Sequence, residues 1–201
     1  MPPTLYLASQ SSRRQELLRQ FGIAFELLVA DANEDAEALE AVQSRESPQH
    51  YVQRVTALKA GAAVLRLKQR GLPRAPVLAA DTTVALGRRI LGKPADAPDA
   101  AEMLGALSGR VHRVLTAVAV TDGKRLELAL SESRVRFRSL DRREIDAYVA
   151  LGETFGKAGA YAIQGRAAAF VSHISGSHSG IVGLPMFETA ALLARFRVVP
   201  R

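Results

Sequence analysis

The sequence contains no cysteine and no tryptophan, and only 5% of its 201 residues are aromatic. A chain without cysteine has no disulfides and no thiolate metal sites, and it is typical of a reducing compartment. We therefore expect a cytoplasmic protein. Because 48% of the residues are hydrophobic but few are aromatic, the core must be mainly aliphatic.

Long hydrophobic runs are also missing. No run approaches the roughly 20 residues needed to cross a bilayer, and no basic segment precedes the first hydrophobic residues, as a secretory signal would require. We found no internal repeat, low-complexity segment or linker, so we expect a single domain over residues 1–201. A nucleophile elbow and a P-loop are absent too, which disfavours acyl transfer and P-loop ATPase chemistry.

Among the features that the sequence does have, an excess of basic residues comes first. The chain carries 27 Lys and Arg residues against 20 Asp and Glu residues, a net charge of +7. A basic balance favours anionic partners. The cations are scattered and few aromatic side chains accompany them for base stacking, so the pattern favours recognition of discrete phosphates over nucleic-acid binding.

The most informative segment is residues 77–94, VLAADTTVALGRRILGKP. Its first four residues predict a buried strand that ends at Asp81, and the GRR turn predicts a hairpin that returns to Lys93. Ligands of open α/β sheets gather at strand ends. A carboxylate facing a lysine there suits phosphate and metal chemistry. The structural alternative is an aspartate that starts a turn and a solvated lysine.

The N-terminal segment predicts an anion site. Residues 4–8 are typical of a strand, and Ser12 with Gln15 forms a capping-box pattern at the start of a helix over residues 12–21. Arg13 and Arg14 in the first turn oppose the helix dipole. A bound anion would explain that cost, because helix-start N–H groups, hydroxyls and guanidinium groups all bind anions. Solvated arginines on an ordinary capped helix are the alternative.

A second strand over residues 25–29 and an acidic run over residues 31–40 follow. The run indicates a solvated surface or a metal ligand. Ser47 and Pro48 then predict the start of a long helix that ends near Gln69. Lys59 falls on its predicted buried face, where it either extends to solvent or points into a site. The apolar residues of that face are Tyr51, Val52, Val55, Leu58, Ala62 and Leu65.

The remaining sequence alternates between the two kinds of element. It predicts helices over residues 96–107, from Asp141 to near Gly152 and over residues 186–195, with strands over residues 111–120, 126–137 and 170–174. Helices interleave with strands, but two hairpins join adjacent strands. The predicted fold class is therefore α/β with a mixed sheet and flanking helices.

Six stretches, in this order, resemble the Maf-type nucleoside triphosphate pyrophosphatases. They are LASQSSRRQELL (7–18), AADTTV (79–84), LGKP (91–94), LSGRVHRVLTAVAV (107–120), KAGAYAIQG (157–165) and GIVGLP (180–185). The resemblance implies an elongated α/β fold similar to that of inosine triphosphate pyrophosphatases, with two lobes around a cleft. It also implies hydrolysis between the α and β phosphates, a divalent metal (Mg²⁺ or Mn²⁺) and a homodimer.

The resemblance assigns roles residue by residue. Asp81 corresponds to the family's proton acceptor and metal ligand, and Glu34 to its acidic residue after the second strand. The phosphate-binding positions correspond to Ser9, Arg13, Arg14, Lys59 and Lys93.

Three markers separate the substrate branches. Arg13, Thr82 and Gln164 match the branch that prefers dTTP and UTP, whereas the 7-methyl-GTP branch has Gln after the catalytic Asp and Glu at the last marker. An amide both donates and accepts, as the edge of uracil or thymine requires. Modified pyrimidine nucleotides are further candidates. The alternatives are the 7-methyl-GTP branch and a non-enzymatic nucleotide-binding regulator of cell division.

Four residues depart from the family pattern. Ser12 stands where proline is usual, Gly156 where an aspartate usually precedes the lysine, and His178 and Gly180 in a stretch that usually differs. The change at position 156 removes one carboxylate near the predicted site.

Overall fold

The computed structural model describes residues 5–31, 34 and 38–200. Its centre is a seven-stranded mixed sheet, which confirms the predicted fold class. Strands β1, β2 and β3 are parallel, and the other pairings are antiparallel. The order is β2 (Glu26–Leu27), β1 (Tyr6–Leu7), β3 (Val77–Leu86), β5 (Val111–Thr121), β6 (Leu126–Phe137) and β7 (Val171–Ser175), with β4 (Arg89–Leu91) paired to the far half of β3.

Helices cover both faces of this sheet. They are α1 (Ser12–Gln20), α2 (Pro48–Gln69), α3 (Ala97–Leu107), α4 (Arg142–Ala150), α5 (His178–Val182) and α6 (Met186–Arg195), with 3₁₀ turns at Ala38–Glu40, Ala158–Ala160 and Arg166–Phe170. Alternation along the strands builds the two cores. Leu115 and Ala117 of β5 pack on α2, whereas Val118 and Val120 belong to the opposite core with α6. Within the described ranges, no helix is long and apolar enough to cross a membrane.

The helix starts agree only in part with their sequence signals. The side chains of Ser47 and Asp96 cap α2 and α3, and Asp141 and Glu144 form a full capping box on α4. The capping box predicted for α1 is wrong. Its N-cap is Ser11, whose side chain makes no capping hydrogen bond.

The predicted buried face of α2 is also partly wrong. Leu58 and Leu65 are 43% and 59% exposed, while the alanines at positions 60 and 63 are buried. Ala60 packs on Ala79 and Ala119 at the centre of the sheet. Small side chains on this face let α2 approach the sheet closely, so the face that carries Leu58 and Leu65 points outward.

Asp81 is not at a strand end, as the sequence suggested, but in the middle of the continuous strand β3. On one side of β3, β1 pairs with Val77 and Leu78, and β4 pairs only from Val84 onward. Among the strands of the described ranges, none pairs with residues 79–83 on that side, although β5 pairs with them on the other. This opening brings the carboxyl end of β1 and the start of α1 beside Asp81.

One further segment differs from expectation. Between the predicted strand 170–174 and helix 186–195, where the sequence analysis assigns no element, lies the short helix α5, whose N-cap Ser177 accepts from Gly180 N at 3.0 Å. Position 4 of the predicted first strand, and positions 32, 33 and 35–37 of the acidic run, lie outside the described residues.

Candidate active site

A cavity of about 720 Å³ lies at the open edge of β3. Its walls come from the segment after β1, from α2, from the turn after β4, from residues 156–163 and from residues 181–183. This volume lies within the usual range for small-molecule sites. Of the sequence-predicted residues, the cavity is lined by Ser9, Arg13, Arg14, Lys59, Asp81, Thr82 and Lys93.

Asp81 begins a chain of alternating charges. Its side chain faces α2, where Lys59 Nζ lies 2.6 Å from Asp81 Oδ1 and 2.7 Å from Glu40 Oε1. Lys93 Nζ lies 2.8 Å from the other oxygen of Glu40. Burial raises the pKa of Glu40, but the ammonium groups of Lys59 and Lys93 together lower it by more, so the net shift of the pKa is downward. The group therefore holds two carboxylates and two cations in mutual contact.

Arg14 forms the second part of the site. Its guanidinium donates to Gly183 O at 2.7 Å, to Ser9 Oγ at 3.1 Å and to Thr82 Oγ1 at 3.2 Å. Burial lowers the pKa of Arg14, and Asp81 partly opposes this effect. An arginine stays protonated in proteins and has five N–H groups. Among the described residues, three of them have protein acceptors that orient the side chain, so two are left for a ligand.

Thr82 is held by the same network. Thr116 Oγ1 lies 2.7 Å from Gly180 O and 3.0 Å from Thr82 Oγ1. A carbonyl only accepts, so the single hydroxyl hydrogen of Thr116 goes to Gly180 and the Thr82 hydroxyl donates to Thr116. The sequence favours a structural role for Thr116 on its strand, and the β3–β5 register pairs it with Thr82 beside the site.

Arg13 lies on another wall. Burial lowers its pKa, and Tyr148 opposes that shift. Burial and Arg13 lower the pKa of Lys157, while Glu153 raises it. Gly156 adopts a φ of +70°, a conformation that favours glycine. Position 156 thus supplies no carboxylate, and the acidic side chain whose charge raises the pKa of Lys157 is that of Glu153.

Gln164 is exposed, next to the lining residues Ala162 and Ile163. A hydrogen bond from Ala162 N to Tyr148 Oη, at 3.0 Å, holds the loop that carries Gln164 against α4. A side chain at Gly165 would place its Cβ 2.2 Å from the carboxylate of Glu153. Gln164 follows two lining residues but is not itself among the residues that line the cavity in the described part of the chain, and its predicted contact with a base stays a prediction.

Glu34 is not brought to Asp81. Its two oxygens accept from Arg66 Nε at 2.8 Å and Arg66 Nη2 at 2.6 Å. The hydrogen bond from Arg66 is the main reason that the pKa of Glu34 falls to about 2. The acidic residue that reaches the lysines is Glu40, from the same acidic run. The sequence signal was present, but it did not single out Glu40.

The donor set can be tested against a divalent metal. Within residues 5–31, 34 and 38–200, no group of three or more His, Cys, Asp or Glu side chains could hold an ion. Asp81 and Glu40 place two carboxylates around Lys59. Mg²⁺ commonly binds one or two carboxylates and takes its other ligands from substrate phosphates and water. The residues therefore fit a metal that arrives with a triphosphate, rather than a closed protein cage.

Comparison with known families decides the relationship. The sequence model described as "Maf: Maf-like protein" matches residues 4–196. This chain belongs to the Maf-like family. The matched residues include all six motifs of this Maf-like protein and the strands of its mixed sheet.

Three similar curated proteins carry the name dTTP/UTP pyrophosphatase. The protein of that name from Ralstonia nicotianae is 67% identical over 195 residues, covering 96% of this chain and 94% of its own. Those from Cupriavidus metallidurans and Albidiferax ferrireducens are 65% and 62% identical, covering 96% and 98% of both chains. Similarity thus extends over nearly the whole Maf-like chain.

Proposed function

We propose that this Maf-like protein hydrolyses dTTP and UTP to the nucleoside monophosphate and pyrophosphate. The observation that carries the proposal is the contact of a buried carboxylate, Asp81, with Lys59 at 2.6 Å inside a cavity rich in cations. The names of the curated relatives support the same reaction and the same two substrates. A binding protein would need the cations but would have no use for a buried base.

In the proposed reaction, Asp81 orients a water molecule and takes its proton as the oxygen attacks a phosphorus of the α–β bridge. The new P–O bond forms as the bridging P–O bond breaks, and the bridging oxygen leaves with one of the two products. Lys59 and Lys93 hold the phosphate oxygens, and Arg14 contributes its two remaining N–H groups. Fixed cations stabilise the charge that develops in the transition state, commonly the largest catalytic contribution.

Mg²⁺ or Mn²⁺, when bound, would neutralise phosphate charge. Asp81 would hold it, and the resemblance implies Glu34, which pairs with Arg66 in this structure, as the second ligand. Ser9 and the first N–H groups of α1 would add hydrogen bonds to phosphate. Arg13, Thr82 and Gln164 would select the base, and Thr82 would act from a fixed position because two neighbours hold its hydroxyl.

The test is pyrophosphate release from dTTP, UTP, CTP, 7-methyl-GTP, GTP, ITP and ATP with Mg²⁺ or Mn²⁺. We expect release from dTTP and UTP. Asp81→Asn should lower kcat by roughly 10²–10⁴ and leave the fold intact, because it removes the base but keeps the side-chain shape. Activity on 7-methyl-GTP alone would contradict the substrate assignment but keep the mechanism, and wild-type turnover in Asp81→Asn would refute the role of Asp81.

A homodimer in the cytoplasm completes the proposal. Phe187 at the start of α6 is 85% exposed, which makes its surroundings a place to look for the contact. Light scattering of the purified protein gives the mass in solution directly, and a monomer would contradict this part alone.

A further inference from the structure

Glu40 stands between two lysines that come from distant parts of the chain. Lys59 belongs to α2, Lys93 follows β4, and Glu40 ends the 3₁₀ turn Ala38–Glu40. Each carboxylate oxygen takes one ammonium group, at 2.7 Å for Lys59 and 2.8 Å for Lys93. Glu40 therefore contacts both of the lysines that would hold phosphate.

A carboxylate in this position resembles part of a phosphate group. It presents two acceptor oxygens and one negative charge to two ammonium groups, as a phosphate would. Its side chain is 24% exposed and lines the cavity, so an entering ligand can reach the same lysines. The carboxylate and a phosphate would compete for them.

We propose that Glu40 is an internal counter-ion of the phosphate site: it occupies Lys59 and Lys93 in the free enzyme, yields them to the triphosphate and takes them back as pyrophosphate leaves. Glu40 is thus a positioning residue, which acts on substrate through the two lysines. The inference rests on the proposed function, because it assumes that these lysines bind phosphate.

The surroundings allow the carboxylate to leave without disturbing the site. The hydroxyl of Tyr51 donates to the backbone carbonyl of Glu40 at 3.0 Å, so the backbone is held while the side chain can rotate. Asp81 remains 2.6 Å from Lys59. Lys59 therefore keeps one partner and its place when Glu40 turns away.

The counter-ion role predicts opposite effects on affinity and turnover. In Glu40→Gln the lysines lose a competing charge, so the KM for dTTP and the inhibition constant of pyrophosphate should both fall by about tenfold, the effect of breaking two partly buried ion pairs. The kcat should fall as well, because pyrophosphate is released more slowly. Binding of pyrophosphate to the wild type and the variant, measured by calorimetry with and without Mg²⁺, checks the affinity without catalysis.

Glu102→Gln is the matched control. It makes the same change in net charge, but Glu102 pairs with Arg89, and neither residue lines the cavity. Both constants should stay at the wild-type value. A merely structural Glu40 would lower kcat and thermal stability without strengthening pyrophosphate binding, and that result would overturn the inference.

A weaker binding of pyrophosphate in Glu40→Gln, seen only with Mg²⁺, would also overturn it and would indicate a metal ligand instead. If the wild type binds pyrophosphate and hydrolyses dTTP while Glu40→Gln matches Glu102→Gln, the inference fails alone. If the wild type neither binds pyrophosphate nor hydrolyses any nucleotide, the proposed function fails first.

Discussion

Burying a single charge costs several kcal/mol unless an opposite charge accompanies it. Asp81 is only 7% exposed, and Lys59 supplies its compensating charge at 2.6 Å. The same lysine also forms an ion pair with Glu40, and Glu40 forms a second ion pair with Lys93. Each charge of this group is therefore stabilised by a neighbour, and the group is already arranged to bind an anion.

His112 shows what a buried titratable residue does outside the cavity. Its Nε2 lies 2.9 Å from the hydroxyl of Tyr161, which does line the cavity. Burial lowers the pKa of His112 to about 4. An unfolded histidine has a pKa near 6.5, so the unfolded chain binds more protons between these values. Stability contributed by His112 is complete above about pH 6.5 and is lost as the pH falls toward 4.

His112→Phe should therefore flatten the acid side of the stability profile. The ring contacts with Phe137 and Tyr161 can persist, but the titrating group is gone. We expect the free energy of unfolding, measured in urea at about pH 7 and about pH 5, to fall less in the variant than in the wild type, by up to about 2 kcal/mol. His173→Gln, at an exposed position, should retain the wild-type slope. Equal slopes in His112→Phe and the wild type would disprove the assignment.

At the scale of elements, the loop over residues 156–166 is fitted against the central hairpin. Gly159 N donates to Gly92 O at 3.0 Å, next to Lys93. Gly159 has a φ of +71°, and an added Cβ would lie 2.9 Å from the side chain of Val84. The position thus demands glycine twice, once for its backbone and once for its packing.

Gly159→Ala should destabilise the protein by about 2–4 kcal/mol, from left-handed strain and overpacking together. It should also raise the KM for dTTP, because the turn that carries Lys93 is displaced. Thermal unfolding and steady-state kinetics check both effects. Gly105→Ala is the control: this exposed residue of α3 has nothing within 4 Å of an added Cβ, so the change should stabilise the helix by up to about 1 kcal/mol. A neutral Gly159→Ala would show that the close approach is relaxed in solution.

At the scale of the whole molecule, the site depends on an interrupted sheet edge. Along one side of β3, β1 and β4 leave residues 79–83 open. Because successive side chains of a strand point to opposite faces, Asp81 faces α2 while Thr82 faces α1 and α5. Both faces of the sheet thereby contribute to one cavity. The positive charge of the chain is concentrated there too, since the cavity is lined by the cations Arg13, Arg14, Lys59, Arg66, Lys93 and Lys157 and by two carboxylates, Glu40 and Asp81.

Such a field should attract the triphosphate in a salt-dependent way. Raising NaCl from about 30 to about 300 mM should lower kcat/KM for dTTP several-fold and change kcat by less than about twofold. Salt screens the long-range attraction during association more than it screens the buried contacts of bound substrate. Lys93→Gln should show a weaker salt dependence. Arg142→Gln, a surface change on α4, should match the wild type. A kcat/KM that does not respond to salt would exclude electrostatic attraction as a determinant of association.

Local chemistry explains what the sequence determined by itself. The caps at Ser47, Asp96 and Asp141 and the strand over residues 126–137 were predicted correctly, because such signals act over a few residues. The motif order was sufficient to predict the family, and the fold class followed from the alternation of helices and strands. The convergence of Ser9, Arg14, Lys59, Asp81 and Lys93 on one cavity was expected from the resemblance, and the cavity contains all five.

Only the tertiary structure decided which of several equivalent residues faces the site. It turned Leu58 and Leu65 outward, because alanines approach the sheet more closely. It also placed Asp81 within a strand, since the interruption lies in the neighbouring strands. Two acidic residues of one run likewise separated, Glu34 to Arg66 and Glu40 to the lysines. Each choice depends on contacts between residues far apart in the chain, which no local pattern encodes.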